Sequence, residues 1–164
     1  MPVISIIGYT NTGKSTLLNT LTHSAVLAAD MPFATLDPSS KRLRFPQDRE
    51  VIITDTVGFI RDLPPDLKDA FMATLEELSE AQLLLEVIDL SDPHLDYRMQ
   101  AVEEILTQLE LNTKPRLRVF NKADKVDSEL AEDLARRFDG VVISALDRRS
   151  LKPLIERLQR FFRA

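Results

Sequence analysis

Gly8-Tyr9-Thr10-Asn11-Thr12-Gly13-Lys14-Ser15 matches the pattern G-x-x-x-x-G-K-[ST]. Its position matters as much as its letters. Val3 to Ile7 before it is a continuous β-branched run of strand length, and helix-period sequence from Lys14 to about Leu21 follows. Strand, glycine loop and helix is the context in which this pattern cradles phosphate. The glycines let the backbone turn sharply and aim successive N–H groups at phosphate oxygens. Lys14 brings a positive charge to the β- and γ-phosphates, Ser15 a hydroxyl to Mg²⁺, and the helix N-terminus a favourable partial charge. Thr16 continues the same turn.

Strand and helix signals alternate outward from this loop. Arg42 to Phe45 alternates weakly and Val51 to Asp55 is a buried-strand run, joined through Pro46, Gln47 and Asp48 as an antiparallel pair would be. Pro64 and Pro65 open a helix with Leu67, Phe71, Leu75 and Leu78 on one face. Leu83 to Asp89 is a strand, Leu95 to Leu109 a helix, Arg116 to Asn121 a strand, and Ser128 to Phe138 a helix capped by Ser128. Gly140 to Ile143 is the sixth strand, and a last helix follows Ser150. This order predicts an α/β fold with a mainly parallel six-stranded sheet, helices on both faces and sites at the C-terminal ends of the strands. Ser24 to Ser40 is the longest stretch without periodicity, which in a compact domain points to a functional loop. Glu86 interrupts an otherwise apolar strand and is expected at a partly exposed strand end. His23 and His94 are expected at the surface.

Composition bounds the rest. The chain of 164 residues has the length of one domain. With 44% hydrophobic and 29% charged residues it is of ordinary globular composition, which excludes disordered and collagen-like classes. A net charge of -5 disfavours a broad nucleic-acid surface, so no DNA partner is expected. The 0 cysteines remove disulfides, thiolate metal sites and a cysteine nucleophile together. Apolar runs are too short to span a bilayer, and the N-terminus lacks the basic region of a signal peptide, so a soluble cytoplasmic domain is expected. Of only 4 glycines, Gly8, Gly13 and Gly58 fall within candidate phosphate motifs.

Two further strand ends carry chemistry. Asp55-Thr56-Val57-Gly58 is weak alone, since an aspartate before a glycine turn is common. One strand after a phosphate loop, Asp55 is placed to hold Mg²⁺ through water, and the Gly58 N–H to meet a γ-phosphate. Asn121-Lys122-Ala123-Asp124 decides the base. A carboxylate at Asp124 accepts from guanine N1–H and the exocyclic amino group together, whereas adenine presents a lone pair at N1 and no amino group at C2. The mismatch costs about 1 to 3 kcal/mol or more. Ser144-Ala145-Leu146 completes the series.

These motifs, in this order, resemble those of translation-factor-class P-loop GTPases. The wording GYTNTGKST from Gly8, FATLDP from Phe33 and DTVGFIRDLP from Asp55 is similar to the HflX family of ribosome-associated GTPases. The resemblance spans nearly the whole chain. It implies a Ras-like sheet, a first switch loop at Phe33, Ala34 and Thr35 with Thr35 as a magnesium ligand beside Ser15 and Asp55, a second around Gly58, and GTP-dependent action on the large ribosomal subunit. The family carries a separate N-terminal domain and helical linker. Here the first strand begins at Val3, so residues 1–164 are expected to be the GTP-binding domain alone, as a monomer. The loop Asp147-Arg148-Arg149-Ser150 lacks the glycines often found there.

The resulting expectation is a Mg²⁺-dependent GTPase, with Lys14 and backbone N–H groups stabilising transition-state charge. The alternative is a module that binds GTP and GDP with negligible hydrolysis. Phe59 keeps that alternative open, because it stands where a water-orienting glutamine is common. GTPases with a hydrophobic residue there and an asparagine in the phosphate loop resemble this sequence, which implies K⁺ bound by Asn11. The competing reading is that Asn11 merely suits a tight turn.

Overall fold

The computed structural model describes residues 2–8, 13–24, 26–27, 40–44, 50–55, 76 and 78–162. Strand β1 (Val3–Ile7) lies in the middle of the sheet because Ile4, Ile6 and Ile7 are fully buried and must be covered on both faces. It runs parallel to β4 (Glu50–Asp55) on one side and to β5 (Leu83–Asp89) on the other. Strands β6 (Arg116–Asn121) and β7 (Val141–Val142) extend the parallel sheet beyond β5. Beyond β4, strands β3 (Ser40–Arg44) and β2 (Val26–Leu27) add an antiparallel edge, giving the order β2-β3-β4-β1-β5-β6-β7.

All six expected strands are present, and β2 makes a seventh among the described residues. It falls inside the stretch read as aperiodic, where two residues are too few to show alternation. β7 is shorter than the expected Gly140 to Ile143. Residues 45–49, with the expected hairpin connection, lie outside the described residues, as does most of the helix expected from Pro64. That helix is described at 76 and 78–80.

Alternate strand residues face opposite sides, so each side needs its own apolar cover. Helix α1 (Lys14–Ser24) packs Leu17 and Leu21 with Ile4, Leu85 and Val119 on one side, joined by Leu154, Leu158 and Phe162 of α4 (Lys152–Phe162). On the other side α2 (Leu95–Gln108) packs Val102 and Leu106 with Ile7 and Leu84. Helix α3 (Ser128–Phe138) packs Ala131 and Leu134 with Ile88 and Phe120. Each fully buried Leu or Ile contributes about 1.5 to 3 kcal/mol, which makes these two layers the source of the fold's stability.

Two local expectations are corrected. The cap of α3 is Asp127, whose side chain accepts from the Glu129 N–H at 3.1 Å, and Ser128 is the first helical residue. Glu86 is no exposed strand end: it is 1% exposed in the middle of β5. Arg116 and Arg118 of β6 bring their Nε atoms within 3.5 Å and 3.4 Å of its Oε1, and Glu103 of α2 accepts from Arg116 at 2.5 Å. The register sets Glu86 opposite Arg118, so strand pairing itself delivers the counter-charge. This charged cluster lies between the two apolar patches under α2 and α3. His94 is exposed, as expected, at the start of α2.

Candidate functional site: a cleft between three loops

The C-terminal ends of β1, β5, β6 and β7 meet at one edge of the molecule. Gly8 follows β1, and Gly13 precedes α1 with φ +97°, a conformation that a β-carbon disfavours. Lys14 is almost fully buried and its Nζ donates to the Gly8 carbonyl at 3.4 Å, bridging the two ends of the loop. The Leu17 N–H bonds to the Gly13 carbonyl at 2.8 Å and starts the helix there. A cation at a helix N-terminus has no structural advantage from the helix dipole, which favours anions at that end. Its place there suits an anionic ligand.

Gly13 also abuts the next loop. A β-carbon on it would lie 2.4 Å from Nδ2 of Asn121. Asn121 is 2% exposed, and its Oδ1 accepts from the Ala145 N–H at 2.8 Å. That bond ties the loop after β6 to the loop after β7. Ala123 N–H to the Ile143 carbonyl at 3.1 Å and Ser144 Oγ to Asp124 Oδ1 at 3.0 Å tie them twice more. Lys122 adopts a left-handed conformation with φ +65°, which turns the chain into the short 3₁₀ helix Ala123–Lys125.

Gly13, Thr16, Asn121, Lys122, Asp124, Lys125, Ser144, Ala145 and Leu146 line one cleft of about 120 Å³. The structure thus gathers eight expected residues from three distant segments and adds Lys125. Leu146 stands 85% exposed at the rim. Ser15 lies in the first turn of α1, and Asp55 ends β4 in register with Ile6. Tyr9, Thr10, Asn11, Thr12, Phe33, Ala34, Thr35 and Gly58 lie outside the described residues.

Two supports were not singled out from sequence. The Ser150 hydroxyl accepts from the Ser144 N–H at 2.9 Å and sits 2.8 Å from the Ser144 carbonyl, bracing the last loop. Asp89, the last residue of β5, takes the Lys122 ammonium at 3.0 Å. Burial works to raise the pKa of Asp89, but hydrogen bonds from Ser91 and Lys122 outweigh it and hold the carboxyl below its ordinary value. The signal for Asp89 was its place at a strand end beside Asn121.

Comparison with known proteins gives the arrangement a family. Residues 3–122 match the family described as 50S ribosome-binding GTPase. The chain is 47% identical over 160 residues to GTPase HflX of Caldanaerobacter subterraneus subsp. tengcongensis, covering 98% of this chain and 36% of that protein. It is 45% identical over 139 residues to GTPase HflX of Escherichia coli, covering 85% and 32% respectively. It therefore spans about a third of the length of these relatives. A GTP-binding protein from the archaeon Sulfolobus solfataricus, solved in complex with GDP, superimposes with a TM-score of 0.75 at 35% identity, over 97% of this chain and 51% of that one. No described helix is long and apolar enough to cross a membrane. The chain belongs to the 50S ribosome-binding GTPase family, and within it is similar to the GTPase HflX proteins.

Proposed function

We propose that this chain binds guanine nucleotides in the cleft and hydrolyses the β–γ anhydride of GTP with Mg²⁺, as the switch domain of a protein that acts on the large ribosomal subunit. The observation that carries the reading is the union of two loops. Asp124 and Asn121, which suit guanine, share one cleft with Gly13, which leads into Lys14, the residue suited to phosphate. A GDP complex of the Sulfolobus protein supports the same ligand class.

Within this reading the chain's own groups have separate tasks. Asp124 accepts from the guanine edge, Asn121 locks the loops around it, and Lys14 with the loop N–H groups neutralises phosphate charge as it builds. Mg²⁺ is commonly held by few protein oxygens together with substrate phosphates. Ser15 and Asp55 belong to α1 and β4, which flank the end of β1, and with Thr35 they would hold the ion. The ion would supply Lewis-acid stabilisation of the phosphate charge. Thr35 and Gly58 respond to the γ-phosphate, and Asn11 with K⁺ would add charge, a point read by comparing rates in KCl and NaCl.

A second reading, a binding module with negligible hydrolysis, is favoured by Phe59, whose ring has no hydrogen bond to offer water. Single-turnover GTP hydrolysis with and without large ribosomal subunits separates the two. Slow basal release of phosphate, accelerated by the subunit and abolished in Lys14→Ala, is the expected result. Binding without turnover in either condition selects the module instead.

A further inference from the structure

Asp89 ends β5 and Lys122 directly follows β6, 33 residues apart, and their side chains meet beside the cleft that Lys122 lines. The meeting is built from both sides. Asp89 is held by the parallel register that sets it opposite Asn121, and the Leu90 N–H bonds to the Asn121 carbonyl at 3.0 Å. Its Oδ1 accepts from the Ser91 N–H at 2.9 Å and the Ser91 hydroxyl at 2.6 Å, which fixes the carboxylate plane and leaves Oδ2 directed to Lys122. Lys122, in its left-handed backbone conformation, lines the cleft while its ammonium is tied to that oxygen. A lysine side chain carries large rotamer entropy, so an unanchored one would sweep many conformations before a ligand could use it.

We propose that Asp89 is a positioning residue for base recognition: by anchoring the ammonium of Lys122 it sets the lysine's four-carbon stem as an apolar wall of the cleft. The inference rests on the guanine-nucleotide reading above and deepens it. A flat base has an apolar face, and a methylene stem held in place covers that face without presenting a charge to it. Anchoring before binding removes an ordering cost that the nucleotide would otherwise bear, so its signature is affinity and not the chemical step. Asp89 ends its strand with both oxygens engaged by protein donors, which sets it apart from a surface carboxylate that happens to find a lysine.

The test is GDP affinity, by displacement of a fluorescent GDP, for the full chain and for Asp89→Ala, Asp89→Asn, Lys122→Ala and the Asp89→Ala/Lys122→Ala pair. Removing a charge-assisted hydrogen bond predicts about 10-fold weaker binding in Asp89→Ala. Asp89→Asn, which keeps an acceptor, should recover part of the loss, and the double variant should bind no more weakly than Lys122→Ala alone. In single-turnover hydrolysis, Asp89→Ala should raise the half-saturating GTP concentration by a larger factor than it lowers the limiting rate. Native affinity in Asp89→Ala, or losses that multiply in the double variant, would overturn the positioning role. If Asp89→Ala does not fold, Asp89→Asn decides, native affinity there counting against the role and a several-fold loss for it. Failure of the wild-type chain to bind GDP would instead strike the guanine reading itself, so the two outcomes are distinct.

Discussion

Gly13 faces two independent constraints: a φ of +97° that strains any residue with a β-carbon, and an Asn121 amide 2.4 Å from where that carbon would sit. The backbone term is about 1 to 3 kcal/mol. The contact cannot be relieved cheaply, because Asn121 is itself held by the Ala145 N–H and is almost wholly buried. Gly13→Ala should therefore displace Asn121 and disturb the base loop as well as the phosphate loop. Its GDP affinity is expected to fall at least about 10-fold, with a loss of stability of roughly 1 to 3 kcal/mol by urea unfolding. An alanine variant that binds GDP normally would show that the two loops are not coupled through this contact. Gly13, Asn121 and Asp124 were legible in the sequence as cleft residues because each belongs to a motif whose residue types suit one chemistry. Ser150 and Asp89 were not. Their tasks arise from what a turn and a strand register place beside them, and serine or aspartate at a loop start has many uses.

Strand β5 shows the same limit at the scale of an element. A single acid in an apolar run reads as a break in burial, since an unpaired carboxylate in a core is costly. The compensation lies in β6, where Arg116 and Arg118 stand two residues apart on the face that Glu86 shares. Two arginines in alternation on the neighbouring strand were the available signal. Burial raises the pKa of Glu86 above its ordinary 4.5, Arg118 and Arg116 pull it down, and Glu103 adds to the rise, with a net upward shift. The folded chain thus holds this proton to higher pH than the unfolded chain. By linkage, the stability that comes from the protonated form is fully present below the ordinary carboxylate range and is lost as pH rises through the folded pKa. Glu86→Gln keeps the neutral form at every pH. Urea midpoints of the two proteins at pH 5 and pH 8 should therefore shift in the variant's favour at the higher pH, and parallel curves would argue that Glu86 titrates normally. The antiparallel edge differs again: β3 and β4 announced themselves, whereas β2 has two residues and takes its identity from pairing with Leu43 and Arg44.

At the scale of the molecule, the sheet order follows from a simple physical sequence of causes. The most apolar strand takes the centre, helices cover both faces, and loops at the C-terminal strand ends gather the residues that line the cleft. That much was legible from periodicity and glycine placement, because long apolar runs and their spacing determine which surfaces must be buried. What was not legible is how firmly the loops after β6 and β7 are joined: Asn121 to Ala145, Ala123 to Ile143 and Ser144 to Asp124 make one rigid frame from two segments. A frame of this kind would discriminate by leaving wrong ligands unpaired. Competition of GDP and ADP for a fluorescent GDP bound to the wild-type chain tests it most directly. The carboxylate of Asp124 predicts that ADP displaces the probe at least about 100-fold less effectively, since each polar group left unpaired beneath a bound base costs about 1 to 3 kcal/mol. Equal displacement by the two nucleotides would contradict it.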